Sequence, residues 1–222
     1  TTAGLKHQNE DCLGIQVPEE PALTVKGMVA VIADGVSTAE AGKEASETCV
    51  RNFISDYLST PDAWCVKTSA QKVLTALNRW LYGQGQHFAE AHKGYISTLS
   101  ILVVKSRIAH IFHIGDSRIY RLRAGDFEQL TQDHSAWMNS EKPHLTRAMG
   151  MDLHLDVDYL TLDVEAGDRF LLSTDGVHDF LSFKQLRKRV REFTDLDAGC
   201  QSLIELALEQ GSDDNLSCQL ID

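Results

Sequence analysis

Two Asp-Gly pairs in this sequence each follow directly on an apolar run. Asp34-Gly35 follows residues 29–33, and Asp175-Gly176 follows residues 170–174. A third acidic pair, Asp213-Asp214, precedes the last apolar run of the chain. Short apolar runs rich in Val, Ile and Leu are typical of buried strands, so these carboxylates are expected at strand ends. If the three ends converge, they form an oxygen-rich pocket suited to Mg²⁺ or Mn²⁺.

Each of these pairs is also compatible with an ordinary turn. Glycine supplies a positive φ, and an Asp side chain hydrogen-bonds to its own backbone, which makes Asp-Gly a frequent turn dipeptide. Two interpretations are likewise open for Glu10 and Asp11, near the start of the chain. They belong either to a surface loop or to the same acidic pocket.

Composition limits the classes of protein that fit. With 222 residues and 43% hydrophobic content, the chain can form one domain or at most two small ones. A net charge of −11 argues against nucleic acid as a partner. Five cysteines without a Cys-x-x-Cys spacing indicate reduced thiols rather than a zinc site or disulfides. No apolar run is long enough for a membrane span and no signal peptide is evident, so we expect a cytoplasmic protein without membrane insertion.

The first half of the chain predicts two strands and two helices. Alternating Leu13, Ile15 and Val17 indicate a half-buried strand, residues 18–21 a connector, and residues 29–33 a strand buried on both faces. A helix is expected over 39–58, capped by Ser37 or Thr38, and a second over 66–81.

From residue 97 onward the pattern becomes that of an antiparallel meander, with strands over 98–104, 108–114, 117–122 and 127–130. We interpret His110 and His113 within it as packed or hydrogen-bonded core residues. Residues 133–149 are expected to be irregular. Two strands (157–162, 169–173), two helices (183–193, 198–209) and a last strand (216–221) follow. The basic residues between 184 and 191 fit a solvated helix face. Helices beside buried strands favour layers of helix and sheet.

In order along the chain, eight segments resemble the metal-dependent Ser/Thr protein phosphatases of the PP2C type, the PPM family, and in particular its bacterial members. The segments are Lys6-His7-Gln8-Asn9-Glu10-Asp11, Ala33-Asp34-Gly35, Gly94 with Ser97-Thr98-Leu99, Gly115-Asp116-Ser117-Arg118-Ile119-Tyr120, Leu130-Thr131-Gln132-Asp133-His134-Ser135, Leu145-Thr146-Arg147-Ala148-Met149-Gly150, Ser173-Thr174-Asp175-Gly176-Val177 and Ser212-Asp213-Asp214-Asn215.

This resemblance implies an α+β fold, a four-layer α-β-β-α sandwich with two antiparallel sheets, formed by residues 1–222 as a single domain. It also implies two or three Mg²⁺ or Mn²⁺ ions and a role for each matching residue. In that assignment Asp34, Asp175 and Asp214 are the catalytic carboxylates, acting through a metal-bound water. The expected metal ligands are Asp34, the Gly35 carbonyl, Asp175, Asp214, Asp116, Asp11 and Glu10, with Asn215 in support and Lys6 on the substrate phosphate.

The implied activity is hydrolysis of phosphoserine and phosphothreonine in proteins by a metal-bridging hydroxide. Two neighbouring cations can share a water, lower its pKa and direct it in line at phosphorus. The partners would be a phosphorylated protein and a cognate Ser/Thr kinase. An alternative is a catalytically weak pseudophosphatase that binds phosphoproteins. A metal-dependent nuclease is disfavoured because the chain lacks a basic track.

The sequence departs from the family pattern at three points. Lys6 stands where an Arg is usual, which predicts weaker phosphate binding because lysine lacks the planar two-pronged geometry. Val36-Ser37-Thr38 offers no general acid after Asp34-Gly35. The flap, at about 136–144, is short, which favours an open cleft that accepts protein loops. The segment from Ala33 to Ser46 resembles phosphatase domains at the head of bifunctional phosphatase-kinase polypeptides.

Overall fold

The computed structural model describes residues 1–88, 94–137 and 144–222. Within these ranges the strands are β1 (Asp11–Gln16), β2 (Met28–Asp34), β3 (Leu99–Lys105), β4 (Ile108–Ile114), β5 (Arg118–Arg123), β6 (Asp126–Gln129), β7 (Ser135–Ala136), β8 (His144–Leu145), β9 (Asp158–Asp163), β10 (Arg169–Ser173) and β11 (Cys218–Ile221). The helices are α1 (Ala22–Lys26), α2 (Gly42–Leu58), α3 (Val66–Gly85), α4 (Asp175–His178), α5 (Phe183–Glu192) and α6 (Leu196–Glu209).

The larger sheet has the strand order β1-β2-β3-β4-β9, and all its pairs are antiparallel. Its strand β2 is flanked on both edges and covered on both faces, so its five residues before Asp34 are fully buried. This burial explains the continuous apolar run, since no position of the strand faces water. The sequence-predicted strand is thus confirmed, with Asp34 as its last residue.

The smaller sheet has the order β11-β10-β5-β6 and is likewise antiparallel. Its inner face packs against the inner face of the larger sheet. Ile32 and Leu102 from the larger sheet meet Ile119 and Leu172 from the smaller one in a single buried cluster. Alternate residues of each strand therefore form the layer between the sheets, as the period of two in a strand requires.

Helices cover the two outer faces. On the larger sheet, α2 and α3 bury side chains such as Phe53 and Leu74 against Val31. On the smaller sheet, α5 and α6 bury Leu186 and Leu203 among the outward residues of β5, β10 and β11. The layers follow the order α-β-β-α, which confirms the predicted fold class.

The predicted helix 39–58 is present as α2 and ends at Leu58 as predicted, but it begins three residues late, at Gly42. The predicted cap is wrong, because neither Ser37 nor Thr38 caps the helix. The backbone of residues 36–39 is instead held in a turn, because Val36 N–H donates to the Ile96 carbonyl and Ala39 N–H to that of Val36. The second helix starts at Val66 as predicted but continues through Gly85, past the expected end at residue 81.

Four short elements were not predicted: α1, the single turn α4, and the paired strands β7 and β8, which lie in the region expected to be irregular. These two strands border the predicted flap (about 136–144), of which residues 138–143 lie outside the described ranges. The prediction for the histidines is confirmed, since His113 bonds to Ser100 Oγ and the Gln132 carbonyl and His110 to Tyr159. In the described ranges, none of the helices has both the length and the apolar content that crossing a bilayer demands.

Candidate active site

Strands β1 and β2 place Asp11 and Asp34 side by side, because the two residues face each other in the antiparallel register. The backbone of Asp34 is fixed by the residues just before β3, because Thr98 N–H donates to the Asp34 carbonyl at 2.8 Å. The Asp34 amide is 2.9 Å from Thr98 Oγ1, and Ser97 Oγ donates to the Asp34 carbonyl at 3.0 Å. The carboxylate thus stands on a rigid strand end.

Asp175 is the first residue of α4, directly after β10, and Asp214 lies in the turn before β11. The two segments are joined, because Ser212 Oγ donates to the Gly176 carbonyl at 2.8 Å. A Cβ atom on Gly176 would lie 2.0 Å from the carbonyl oxygen of Asn215. Glycine at position 176 is therefore a requirement of this close approach between two backbones.

We expect Gly176→Ala to lower the free energy of unfolding by about 2–3 kcal/mol, because the new methyl group must displace backbone rather than a flexible side chain. Urea unfolding followed by circular dichroism measures this. The matched control is Gly83→Ala in α3, where a Cβ meets nothing within 4 Å. That change should raise stability by about 0.5–1 kcal/mol. Equal effects of the two substitutions would contradict the steric explanation.

Asn215 connects the N-terminal segment to the Asp214 turn. Its Oδ1 accepts the Glu10 N–H at 2.8 Å, and its Nδ2 donates to the Ala3 and Gln8 carbonyls at 3.0 and 2.9 Å. The sequence interpretation had Asn215 as a support for the Asp214 loop. The structure adds that the same side chain holds the segment that carries Glu10 and Asp11.

The carboxylates of five separate segments lie close enough to affect one another. Burial, followed by the charges of Asp11, Asp175, Asp116 and Asp214, raises the pKa of Asp34 well above its usual range. Burial and then the charge of Asp175 raise the pKa of Asp116 to about 7. Burial and then Asp214 raise the pKa of Asp175 to about 6. The sequence-predicted convergence of these strand ends is therefore seen in the structure.

Asp11 has one satisfied and one unsatisfied carboxylate oxygen. Thr174 Oγ1 donates to Asp11 Oδ2 at 2.9 Å, whereas Oδ1 is buried without a hydrogen-bond partner. Burial is the main reason that the pKa of Asp11 rises to about 7, with the Ser217 and Thr174 side chains opposing it. An orphaned buried carboxylate oxygen is costly, and a hard cation is a natural partner for it.

The donor set therefore fits hard divalent cations. All its side-chain donors are oxygens, and the mutual repulsion of the carboxylates is what a cation would relieve. Across the described part of the chain, however, no three His, Cys, Asp or Glu side chains are already set as a metal site. The fit consequently depends on charge and donor chemistry rather than on preset ligand geometry.

Lys6 and Glu10 lie at the rim, beside Asp214. Lys6 Nζ is 3.4 Å from Asp214 Oδ1. Burial raises the pKa of Glu10. The charge of Lys6 opposes this rise, and the charges of Asp214 and Glu44 add to it. Of the residues predicted from the sequence, Glu10 is thus grouped with Asp214 and Lys6, whereas Asp11 lies with Asp34. Gly35 donates its N–H to the Glu10 carbonyl at 3.1 Å and links the two groups.

A cavity of about 530 Å³ adjoins one side of the carboxylate cluster. Asp116, Asp175 and Asp214 lie in its wall, whereas Asp11 and Asp34 do not line it. Sequence reasoning assigned no role to two other residues of this wall. Arg118 donates to both oxygens of Asp133, at 2.9 and 2.6 Å, and Trp137 is 72% exposed. The only sequence feature that pointed to Arg118 was its place in the Gly115–Tyr120 motif. No feature of the sequence pointed to Trp137 as a residue of the site.

Comparison with known proteins places this geometry in a family. A profile of the family described as Protein phosphatase 2C matches residues 8–220. Protein phosphatase PhpP of Streptococcus pneumoniae is 28% identical over 210 residues, which cover 86% of this chain and 84% of that protein. Serine/threonine phosphatase stp of Listeria innocua is 24% identical over 237 residues, covering 98% and 91%.

Solved structures agree with the sequence matches. Serine/threonine phosphatase Stp1 from Staphylococcus aureus superposes with a TM-score of 0.82 at 25% identity, covering 100% of this chain and 92% of that one. The PstP/Ppp serine/threonine phosphatase of Mycobacterium tuberculosis gives a TM-score of 0.82 at 22% identity, covering 99% and 94%, which supports the fold alone. The profile match spans nearly the whole chain and coincides with the carboxylate pocket, and the chain accordingly belongs to the protein phosphatase 2C family.

Proposed function

We propose that this protein removes phosphate from phosphoserine and phosphothreonine in protein substrates, with two or three Mg²⁺ or Mn²⁺ ions as cofactors. The observation that carries the proposal is the cluster of Asp11, Asp34, Asp116 and Asp175, whose pKa values are each raised by burial and by neighbouring carboxylates. Of these four residues, Asp116 and Asp175 also line the cavity. Such a cluster is costly in a stable protein unless a cation or a catalytic role accounts for it. Membership of a phosphatase family supports the same activity.

The residues that would hold the cations are those predicted from the sequence: Asp34, Asp175, Asp214, Asp116, Asp11, Glu10 and the Gly35 carbonyl. When bound, the cations would supply an activated water for attack on phosphorus and would neutralise the phosphoryl oxygens. The chain itself contributes position. Strand β2 fixes Asp34, and the Thr174 hydroxyl orients Asp11.

Among the described residues, Arg118 in the cavity wall and Lys6 beside Asp214 bring positive charge to the site, and they differ in how firmly they are held. Arg118 is held by the bidentate contact to Asp133, with Asp179 3.6 Å away, so its guanidinium serves to shape the cavity wall. Lys6 is part-exposed at the rim and contacts Asp214 at 3.4 Å. Of the two, Lys6 is the better placed to bind a substrate phosphate. Its contact to Asp214 is longer, whereas Arg118 would have to break two short hydrogen bonds to Asp133.

Lys6→Arg is expected to lower KM for a phosphothreonine peptide about threefold and to leave kcat within about twofold, because a guanidinium binds phosphate through two parallel hydrogen bonds. Steady-state kinetics at saturating Mn²⁺ measure both constants. Lys6→Ala is the matched comparison and should raise KM. An unchanged KM in the Lys6→Arg variant would mean that this side chain does not bind the substrate phosphate.

The test of the proposed function is hydrolysis of p-nitrophenyl phosphate and of a phosphothreonine peptide, with and without Mn²⁺ or Mg²⁺. We expect turnover of both substrates that requires the cation. If the folded protein binds the peptide but shows no turnover at any cation concentration, the pseudophosphatase alternative replaces the enzyme. A cognate kinase as partner and a cytoplasmic location remain predictions from the sequence.

A further inference from the structure

Helix α5 carries a stripe of positive charge on a chain that is otherwise strongly acidic. Lys184, Arg187, Lys188 and Arg191 are exposed and spaced i, i+3, i+4 and i+7, so they lie on one helix face. The opposite face is buried through Leu186 and Val190. Including Arg189 and Glu192, the helix has a net charge of +4 in a chain of −11, so the rest of the molecule carries −15.

In the part of the chain that the structure describes, little of the positive charge of this stripe is paired. Across residues 1–88, 94–137 and 144–222, the four side chains make one ion pair, from Lys188 to Glu192 at 3.9 Å. Four like-charge pairs at i,i+3 and i,i+4 spacing repel one another and disfavour the helix. A basic residue in the last turn, such as Arg191, is favoured by the helix dipole, but Lys184 in the first turn is not. Stability of the helix therefore does not explain the stripe.

The stripe begins next to the cavity of the active site. Phe180 lines that cavity, and α5 starts three residues later. Phe183 packs its ring against Tyr120, whose hydroxyl is 3.4 Å from Arg118 in the cavity wall. Ten helical residues extend over about 15 Å, the length of about five extended residues of a bound peptide. A substrate with its phosphorylated residue in the cavity could reach along α5.

Among anionic partners, the charge of the whole molecule favours a small one. A membrane surface or a nucleic acid presents negative charge over a large area and would be repelled by the −15 of the remaining residues. A short acidic segment of a protein is small enough to contact the α5 stripe alone, without facing the acidic remainder of the surface. We propose that the α5 face formed by Lys184, Arg187, Lys188 and Arg191 docks an acidic segment of the phosphoprotein substrate, displaced along the chain from the phosphorylated residue.

A direct binding measurement tests whether α5 docks acidic segments, and it does not require catalytic turnover. The probe is a fluorescein-labelled peptide of about six glutamates, measured by fluorescence anisotropy at low salt. We expect Arg187→Glu with Arg191→Glu to weaken binding about tenfold. The matched control is Lys72→Glu with Arg79→Glu on α3, which makes the same charge change on the opposite outer layer. An equal loss in both variants, or no binding by the unmodified protein, overturns the proposal. Binding of phosphatidylserine vesicles or duplex DNA through α5 in place of the peptide overturns it too.

The substrate side of the proposal rests on the phosphatase activity proposed above. Two phosphothreonine peptides are compared, one with a run of glutamates about five residues from the phosphothreonine and one with glutamines there. We expect kcat/KM to favour the acidic peptide about fivefold, through KM, and the α5 variant to lose this preference while keeping its p-nitrophenyl phosphate turnover. A preference that survives in the α5 variant overturns the docking role. Absence of all turnover would instead contradict the proposed function, and the anisotropy result would still decide whether α5 binds acidic segments.

Discussion

Replacing Asp34 by Asn is expected to lower kcat by about 10³-fold or more and, at the same time, to raise the melting temperature of the metal-free protein by roughly 3–6 °C. The first effect follows if Asp34 holds the catalytic cations. The second follows from the electrostatics, because the pKa of Asp34 is raised by burial and by the charges of Asp11, Asp175, Asp116 and Asp214. Asn removes one charge from this repulsion.

The amide suits the position of the carboxylate that it replaces. The Asp34 side chain is close enough to that of Asp175 to lower the pKa of Asp175, which partly offsets the rise caused by burial and by Asp214. An Asn side chain has the same shape and can donate a hydrogen bond in the same place without needing a proton from solvent. The variant should therefore keep the fold of the site while losing its affinity for cations.

Asp126→Asn is the control, since Asp126 is exposed at the start of β6, in the hairpin that follows β5. It should change neither kcat nor the melting temperature beyond error. Differential scanning fluorimetry in EDTA and steady-state assays in Mn²⁺ supply the two measurements. An Asp34→Asn protein that is inactive because it is unfolded, or one that keeps half its activity, would contradict the assignment.

Sequence reasoning was most accurate where burial alone determines structure. Strand β2 was predicted because residues 29–33 leave no polar position, as expected of a strand covered on both faces, and β2 ends at Asp34 as expected. The predicted start of α2 was wrong because the true start depends on a close backbone approach within residues 35–42, which hydrophobic periodicity does not show. A Cβ on Gly35 would lie 2.2 Å from the Gly42 carbonyl, so the chain must pass close to itself before the helix can begin.

For the site, the order of motifs was enough to predict which carboxylates meet, but not what holds them. The Thr174 hydroxyl on Asp11 and the three hydrogen bonds of the Asn215 side chain join residues more than 150 positions apart. Such contacts depend on sheet register and turn geometry, which periodicity does not encode. The single turn α4 was missed for a related reason, since four residues carry no helical period.

The last expected result concerns pH: the metal-free protein should become more stable as the pH falls from 8 to about 6, and saturating Mn²⁺ should abolish this gain. The pKa values of Asp11 and Asp116 are raised to about 7 and that of Asp175 to about 6, so the folded state binds more protons than the unfolded state between pH 4 and 7. Stability contributed by these groups is therefore present at low pH and is lost as the pH rises through 7. For Asp116 alone, the shift of its pKa from 3.8 to about 7 corresponds to about 4 kcal/mol over the whole titration, of which about 1.4 kcal/mol falls between pH 8 and 6.

Below about pH 6 the buried histidines oppose this gain. Burial is the main reason that the pKa of His113 falls to about 4 and that of His178 falls well below its usual range. At these two positions the unfolded chain binds more protons than the folded protein, whereas Asp11, Asp116 and Asp175 bind more protons in the folded state. The melting temperature of the metal-free protein should thus still rise just below pH 6, but by less than the carboxylates alone would raise it. Because cations and protons compete for the same carboxylates, Mn²⁺ should raise the melting temperature far more at pH 8 than at pH 6. Equal Mn²⁺ effects at the two pH values would mean that the cation binds elsewhere.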